Sequence, residues 1–105
     1  MKRFLPIFAM LIAISLAFAA KSKPVVTIKD MKFSPASITI KVDETVTWTN
    51  DDDRDHTVTA TDASFDSDNI KPGSSYSHQF KTAGKFAYGC SYHPRMKGVV
   101  TVSDK

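Results

Sequence analysis

A chain of 105 residues, 42% hydrophobic and 24% charged, has room for one small globular domain and not for two. The formal charge of +3 includes Lys2 and Arg3; without that pair the balance is +1, which leaves no electrostatic footprint for nucleic acid. The single cysteine excludes an internal disulfide, the usual support of a small exported domain.

The chain opens with Lys2 and Arg3, an apolar run from Phe4, and small residues at Ala17 and Ala19. This is the layout of a secretory signal peptide cleaved after Ala19, and the run is shorter than the roughly 20 residues that span a bilayer. The expectation is a leader over residues 1–19 and one mature domain over residues 20–105, exported, periplasmic in a bacterium, monomeric and not stably inserted in a membrane.

Beyond the leader no long stretch has helical periodicity, and apolar residues recur every second position between turn signals. The pattern predicts strands over Val25 to Lys29, Ser37 to Val42, Thr45 to Asn50, His56 to Thr61, Ser74 to Phe80, Lys85 to Cys90 and Val99 to Ser103. Breaks fall at "SPAS", "VDE", "NDDDRD", "DSDNIKPG", "KTAG" and "SYHPRMKG". Seven short strands so punctuated predict an all-β fold, a small two-sheet Greek-key sandwich.

Alternation also assigns faces. Ile38, Ile40 and Val42 share one face, as do Val46 and Trp48; His56 falls in line with Val58 and Ala60, and Cys90 with Phe86 and Tyr88. Two strands can therefore deliver a histidine and a cysteine to one end of one core.

Taken alone, Cys90 has three readings: an inert buried thiol, an intermolecular or catalytic thiol, or a metal thiolate. Its neighbours favour the last. His93 lies three positions on and Met96 three beyond it, in the predicted loop before the final strand. One thiolate, two imidazoles and a thioether form a soft donor set, and a His₂Cys plane with a weak axial Met is the blue-copper electron-transfer arrangement. Met is a poor zinc ligand, which disfavours a structural zinc site. A Cys90–His93 nucleophile would leave Met96 unexplained, and no substrate-binding residues stand out, so the reading is a carrier and not an enzyme.

The segments "FSPASITIKVDETVTWTN", "HTVTATD" and "GKFAYGCSYHPRMKGVVTV" resemble the cupredoxins, the small blue copper proteins, over nearly all of the mature region. The Cys-x-x-His-x-x-Met spacing is most similar to the amicyanins; plastocyanins and pseudoazurins have longer intervals. The resemblance implies one copper per chain held by His56, Cys90, His93 and Met96, and electron exchange through a surface near His93. It further implies donor and acceptor proteins, such as an amine dehydrogenase and a c-type cytochrome. Copper delivery, buffering or resistance would use the same residues and stands as the alternative.

The chain departs from the family pattern in two places. Thr57 follows His56 where many relatives carry Asn, and Asp43 stands where many carry Gly in a turn. Met31, Trp48, Phe80, Phe86 and Tyr88 read as packing residues, and His78 as structural or surface. The acids of "DDDRD", Asp51 to Asp55, read as a solvated loop or as a steering patch for a basic partner, whereas Arg95 and Lys97 would favour an acidic one.

Overall fold

The computed structural model describes residues 24–104. The predicted leader, residues 1–19, lies outside the described residues. Eight strands follow in order: β1 (Val25–Lys29), β2 (Lys32–Ser34), β3 (Ser37–Lys41), β4 (Thr45–Asn50), β5 (Thr59–Ala60), β6 (Ser75–Gln79), β7 (Gly84–Cys90) and β8 (His93–Ser103). They form two four-stranded sheets, ordered β2-β1-β4-β6 and β3-β8-β7-β5, with β1–β4 and β3–β8 parallel and the other pairs antiparallel. The two-sheet sandwich expected from the period-two pattern is the observed architecture.

The inward rows meet between the sheets as alternation requires. Val26, Ile28, Val46, Trp48, Val58 and Val100 are completely buried. Trp48 is central: its ring lies 5.3 Å from that of Tyr88, 5.8 Å from Tyr76 and 5.9 Å from Phe65, measured between centroids. Ring pairs at such distances pack with little void and hold the sheets at a fixed separation. Asp43 adopts a φ of 79°, the left-handed turn conformation that Asp tolerates.

Three expectations need correction. Strand β2 is too short to carry an alternation signal and was not expected. The segment His56 to Thr61 is not a continuous strand: only Thr59–Ala60 pairs with β7, while His56 bridges Ile70 in isolation. Finally, "SYHPRMKG" is not a loop, because β8 starts at His93 and Cys90 pairs directly with it, leaving Ser91 and Tyr92 as a two-residue hairpin turn.

That last pairing contains a bulge. Gly89 faces Lys97, yet the next residue, Cys90, faces His93, so Pro94, Arg95 and Met96 have no opposite number on β7. Proline has no amide hydrogen to give a ladder, so a bulge suits it. From Met96, the last residue of the bulge, the alternation of β8 resumes, with Met96, Val100 and Val102 buried. Gly89 allows the fold, since a Cβ there would stand 2.8 Å from the Met96 carbonyl oxygen.

Candidate metal centre

The sequence-predicted residues converge at one end of the sandwich. His56 is fully buried at its bridge to Ile70, Cys90 ends the inward row of β7, and His93 starts β8 across the hairpin. One donor atom from each of His56, Cys90 and His93 lies within 4.8 Å of the others. The Cys90 Sγ to His56 Nδ1 distance is 3.8 Å, and the two imidazole centroids are 5.1 Å apart. Met96, 3% exposed, comes to this end of the core through the bulge and shares a surface groove with His93.

The donor set fits a metal ion. Metal–nitrogen and metal–sulfur bonds of about 2.1 and 2.3 Å at an angle of about 120° separate the two donor atoms by about 3.8 Å. The observed Sγ to Nδ1 separation is of that size. Two imidazoles, a thiolate and a thioether make a soft donor set that suits copper.

Residues around the donors fix their orientation. Asp52 Oδ2 lies 2.8 Å from His56 Nε2 and also accepts the Met31 amide at 3.1 Å. An ionised carboxylate only accepts, so His56 carries its proton on Nε2 and leaves Nδ1 bare toward Cys90. The His56 hydrogen bond, with the backbone donors of Met31 and Asp53, holds the Asp52 carboxyl below the ordinary carboxylate range. Asn50, fully buried, organises the acidic loop: its Nδ2 donates to the Arg54 and Ile70 carbonyls, and its Oδ1 accepts the Asp52 amide at 3.0 Å.

Thr57 occupies the other side of the sulfur. Its amide donates to Cys90 Sγ at 3.3 Å, and its hydroxyl accepts the Ser91 amide at 2.8 Å. The hairpin turn is tied down separately, by the Tyr92 hydroxyl donating to Asn69 Oδ1 at 2.8 Å.

His93 is only half-buried. It lines a groove with Met31, Tyr92, Pro94 and Met96, at whose edge stand Asp30, Lys32 and Arg95. Met31 reaches it from the tight β1–β2 turn, where Asp30 and Met31 have φ of 52° and 61°. Such left-handed backbone costs a non-glycine residue about 1 kcal/mol, and the Asp52 bond to the Met31 amide offsets part of it. Met31 thus packs against the core as expected and also borders the groove.

Sequence reasoning missed Asp52 and Asn50. Asn50 had a signal, because it continues the inward row of Val46 and Trp48, where an amide must find partners. Asp52 had none, being one acid among the four of its loop. His78 stays outside the centre, with its ring 4.8 Å from Phe65 and 4.7 Å from Phe80.

Comparison with known proteins gives a consistent result. The model of the cupredoxin-like domain matches residues 3–102. Plastocyanin of Scenedesmus fuscus is 38% identical over 88 residues, covering 67% of this chain and 85% of that protein. Amicyanin of Paracoccus denitrificans is 35% identical over 83 residues, covering 74% of this chain and 63% of that protein. Among solved structures, a purple cupredoxin from Nitrosopumilus maritimus superposes with a TM-score of 0.72 at 33% identity, over 77% of this chain and 100% of that one. An amicyanin variant in its reduced Cu(I) form gives 0.73 at 34% identity, over 83% of this chain and 88% of that one.

Proposed function

The chain belongs to the cupredoxin-like family, and on that premise we propose that it is a single-electron carrier with one type 1 copper held by His56, Cys90, His93 and Met96. The observation that carries this reading is the convergence within 4.8 Å of donors from Cys90 and His93, on paired strands, and from His56, at its bridge to Ile70. Bound copper supplies the Cu(II)/Cu(I) couple.

The chain's own residues make that couple usable. The sandwich and its hydrogen bonds hold the donors in place without metal, so little rearrangement accompanies a change of charge. Asp52 fixes the His56 tautomer, and the Thr57 amide shares the charge on Cys90 Sγ. His56 and Cys90 are buried from water, while half-buried His93 offers the short route to the surface. The groove beside it presents Met31, Tyr92 and Pro94 to a donor or acceptor protein, with Lys32 and Arg95 favouring an acidic rim on that partner. The acid nearest the centre, Asp52, is engaged by His56, which leaves Asp51, Asp53 and Asp55 as exposed charges.

Residues 1–19 read as an export leader and residues 20–105 as the mature domain, which places the carrier in an exported, periplasmic setting. No helix among the described residues is long and apolar enough to cross a membrane. A carrier of this kind has no substrate of its own and performs no catalysis.

The test is the visible spectrum and voltammetry of the purified mature chain after adding Cu(II), repeated with Cys90→Ser. An intense red-region band that bleaches reversibly on reduction, and is missing from the variant, is the expected result. A colourless copper-loaded protein overturns the reading; a coloured one that exchanges electrons slowly but passes its ion to a chelating acceptor points to copper delivery.

A further inference from the structure

Met31 and Met96 are the two methionines among the described residues, and both line the same two surface grooves. One groove also takes in Tyr92, His93 and Pro94; the other runs toward Phe33, Ala36 and Lys97. Neither is lined by His56 or Cys90, which are buried. The donors of the metal centre therefore divide into a pair that borders the groove, His93 and Met96, and a pair closed off from it. Met31 is half-buried and Met96 is 3% exposed, so the two thioethers run from the surface inward.

Met31 stands where local preference disfavours it. β1 and β2 are joined by the two-residue turn Asp30-Met31, across which Lys29 pairs with Lys32, and both turn residues have positive φ, at 52° and 61°. Asp-Gly is a favoured pair for that geometry, because glycine takes the left-handed conformation freely. This chain keeps the aspartate and puts a long side chain in the place of the glycine. The backbone is fastened there by the Asp52 carboxylate, which accepts the Met31 amide at 3.1 Å. A residue placed against local preference and tied down marks a position where side-chain chemistry outweighs stability. Met31 also packs against the core, but leucine would pack there as well. What leucine lacks is the sulfur.

Thioethers are soft ligands that select Cu(I). We propose that Met31 is a transit ligand: Cu(I) enters and leaves through this groove, taken first by the Met31 thioether and passed to Met96 and His93 before it reaches Cys90 and His56. The proposal rests on the copper reading and adds the route of the ion to it. The rim does not gather bare cations by its field, because Asp30 is opposed by Lys32 and Arg95. The groove therefore fits an ion carried in on another soft ligand and exchanged onto the thioether. As the ion arrives, Cys90 releases its thiol proton to solvent, and no electron moves.

The experiment compares metal-free wild type with Met31→Leu, which conserves volume and removes the sulfur. Loading is followed anaerobically with Cu(I) offered as its acetonitrile complex, and withdrawal with a chelator that colours on taking Cu(I). A transit ligand lowers one barrier as seen from both sides. Met31→Leu is therefore expected to slow loading and withdrawal by the same factor, about fivefold to tenfold, with the equilibrium affinity at its wild-type value. Loading at the wild-type rate by folded Met31→Leu overturns the proposal, and so does a slower rate matched by an equal loss of affinity. A second readout needs no change at position 31: Ag(I), a redox-inert stand-in for Cu(I), is added to metal-free Cys90→Ser and the methionine methyl resonances are recorded. Both the Met31 and the Met96 signals are expected to move, and a still Met31 signal beside a displaced Met96 signal overturns the transit role. Wild type that takes up neither ion sinks the copper reading and the route with it, whereas normal uptake with a silent Met31 sinks the route alone.

Discussion

The Asp52 carboxylate accepts the Nε2 proton of His56 at 2.8 Å, and this pairing leaves Nδ1 of the same ring 3.8 Å from Cys90 Sγ. Carboxylates behind a ligating histidine hold the ring and raise its basicity, and their loss costs about 10-fold to 100-fold in metal affinity. Asp52→Ala is expected to weaken copper binding by that amount, and Asp52→Asn by less, because its amide oxygen still accepts. Competition titration against a chelator of known affinity measures both. Wild-type affinity in Asp52→Ala would show that the ring is held by packing alone.

Asn50 joins the acidic loop to the core through three side-chain hydrogen bonds, two donated and one accepted. Asn50→Ala takes the Asn50 partner from the Arg54 carbonyl and the Asp52 amide and leaves the Ile70 carbonyl with the His56 amide alone. The expected loss is about 2–4 kcal/mol in the metal-free protein, read by chemical denaturation. A loss below about 0.5 kcal/mol, the ordinary range for a surface change, would mean that water replaces the amide.

Two glycines separate fold from site. At Gly98 a Cβ would stand 2.4 Å from the Tyr88 hydroxyl, against a ring locked in the core. Gly98→Ala should therefore cost about 1–3 kcal/mol by overpacking. At Gly89 the clash, at 2.8 Å, is with the Met96 carbonyl on the bulge. Gly89→Ala should displace Met96 and alter the copper spectrum while lowering the melting temperature less than Gly98→Ala. The reverse order of melting temperatures would place the larger strain at the bulge instead.

His78 gives a pH dependence. Packed against Phe65 and Phe80, its imidazole is held below the usual 6.5 because burial disfavours the cation. The unfolded chain then binds this proton first as pH falls. The contribution is constant above about pH 6.5, declines as pH drops below it, and levels off once pH passes the lower folded value. His78→Phe is expected to reduce the slope of metal-free stability between pH 7 and pH 5. Identical slopes in denaturation series of the two proteins would exclude a role for His78.

Much of this protein was legible in its sequence because strand alternation is a local property. The parity of Val46 with Trp48 and of Tyr88 with Cys90 follows from the geometry of an extended chain, so the sandwich and the inward place of Cys90 could be read directly, whereas His56 comes to the sulfur from outside a continuous strand, at its bridge to Ile70. The spacing of His93 and Met96 from Cys90 likewise lies within one continuous segment. What the tertiary structure decided were relations between segments. Asp51, Asp52, Asp53 and Asp55 look alike in sequence, and only the amide of Asn50 and the ring of His56 select Asp52. The bulge at Pro94, Arg95 and Met96 arises from the register of β8 against β7, which no local pattern encodes. Thr57 acquires its role from Ser91, 34 residues away, because a hydroxyl gains meaning only from what it faces once the chain has closed.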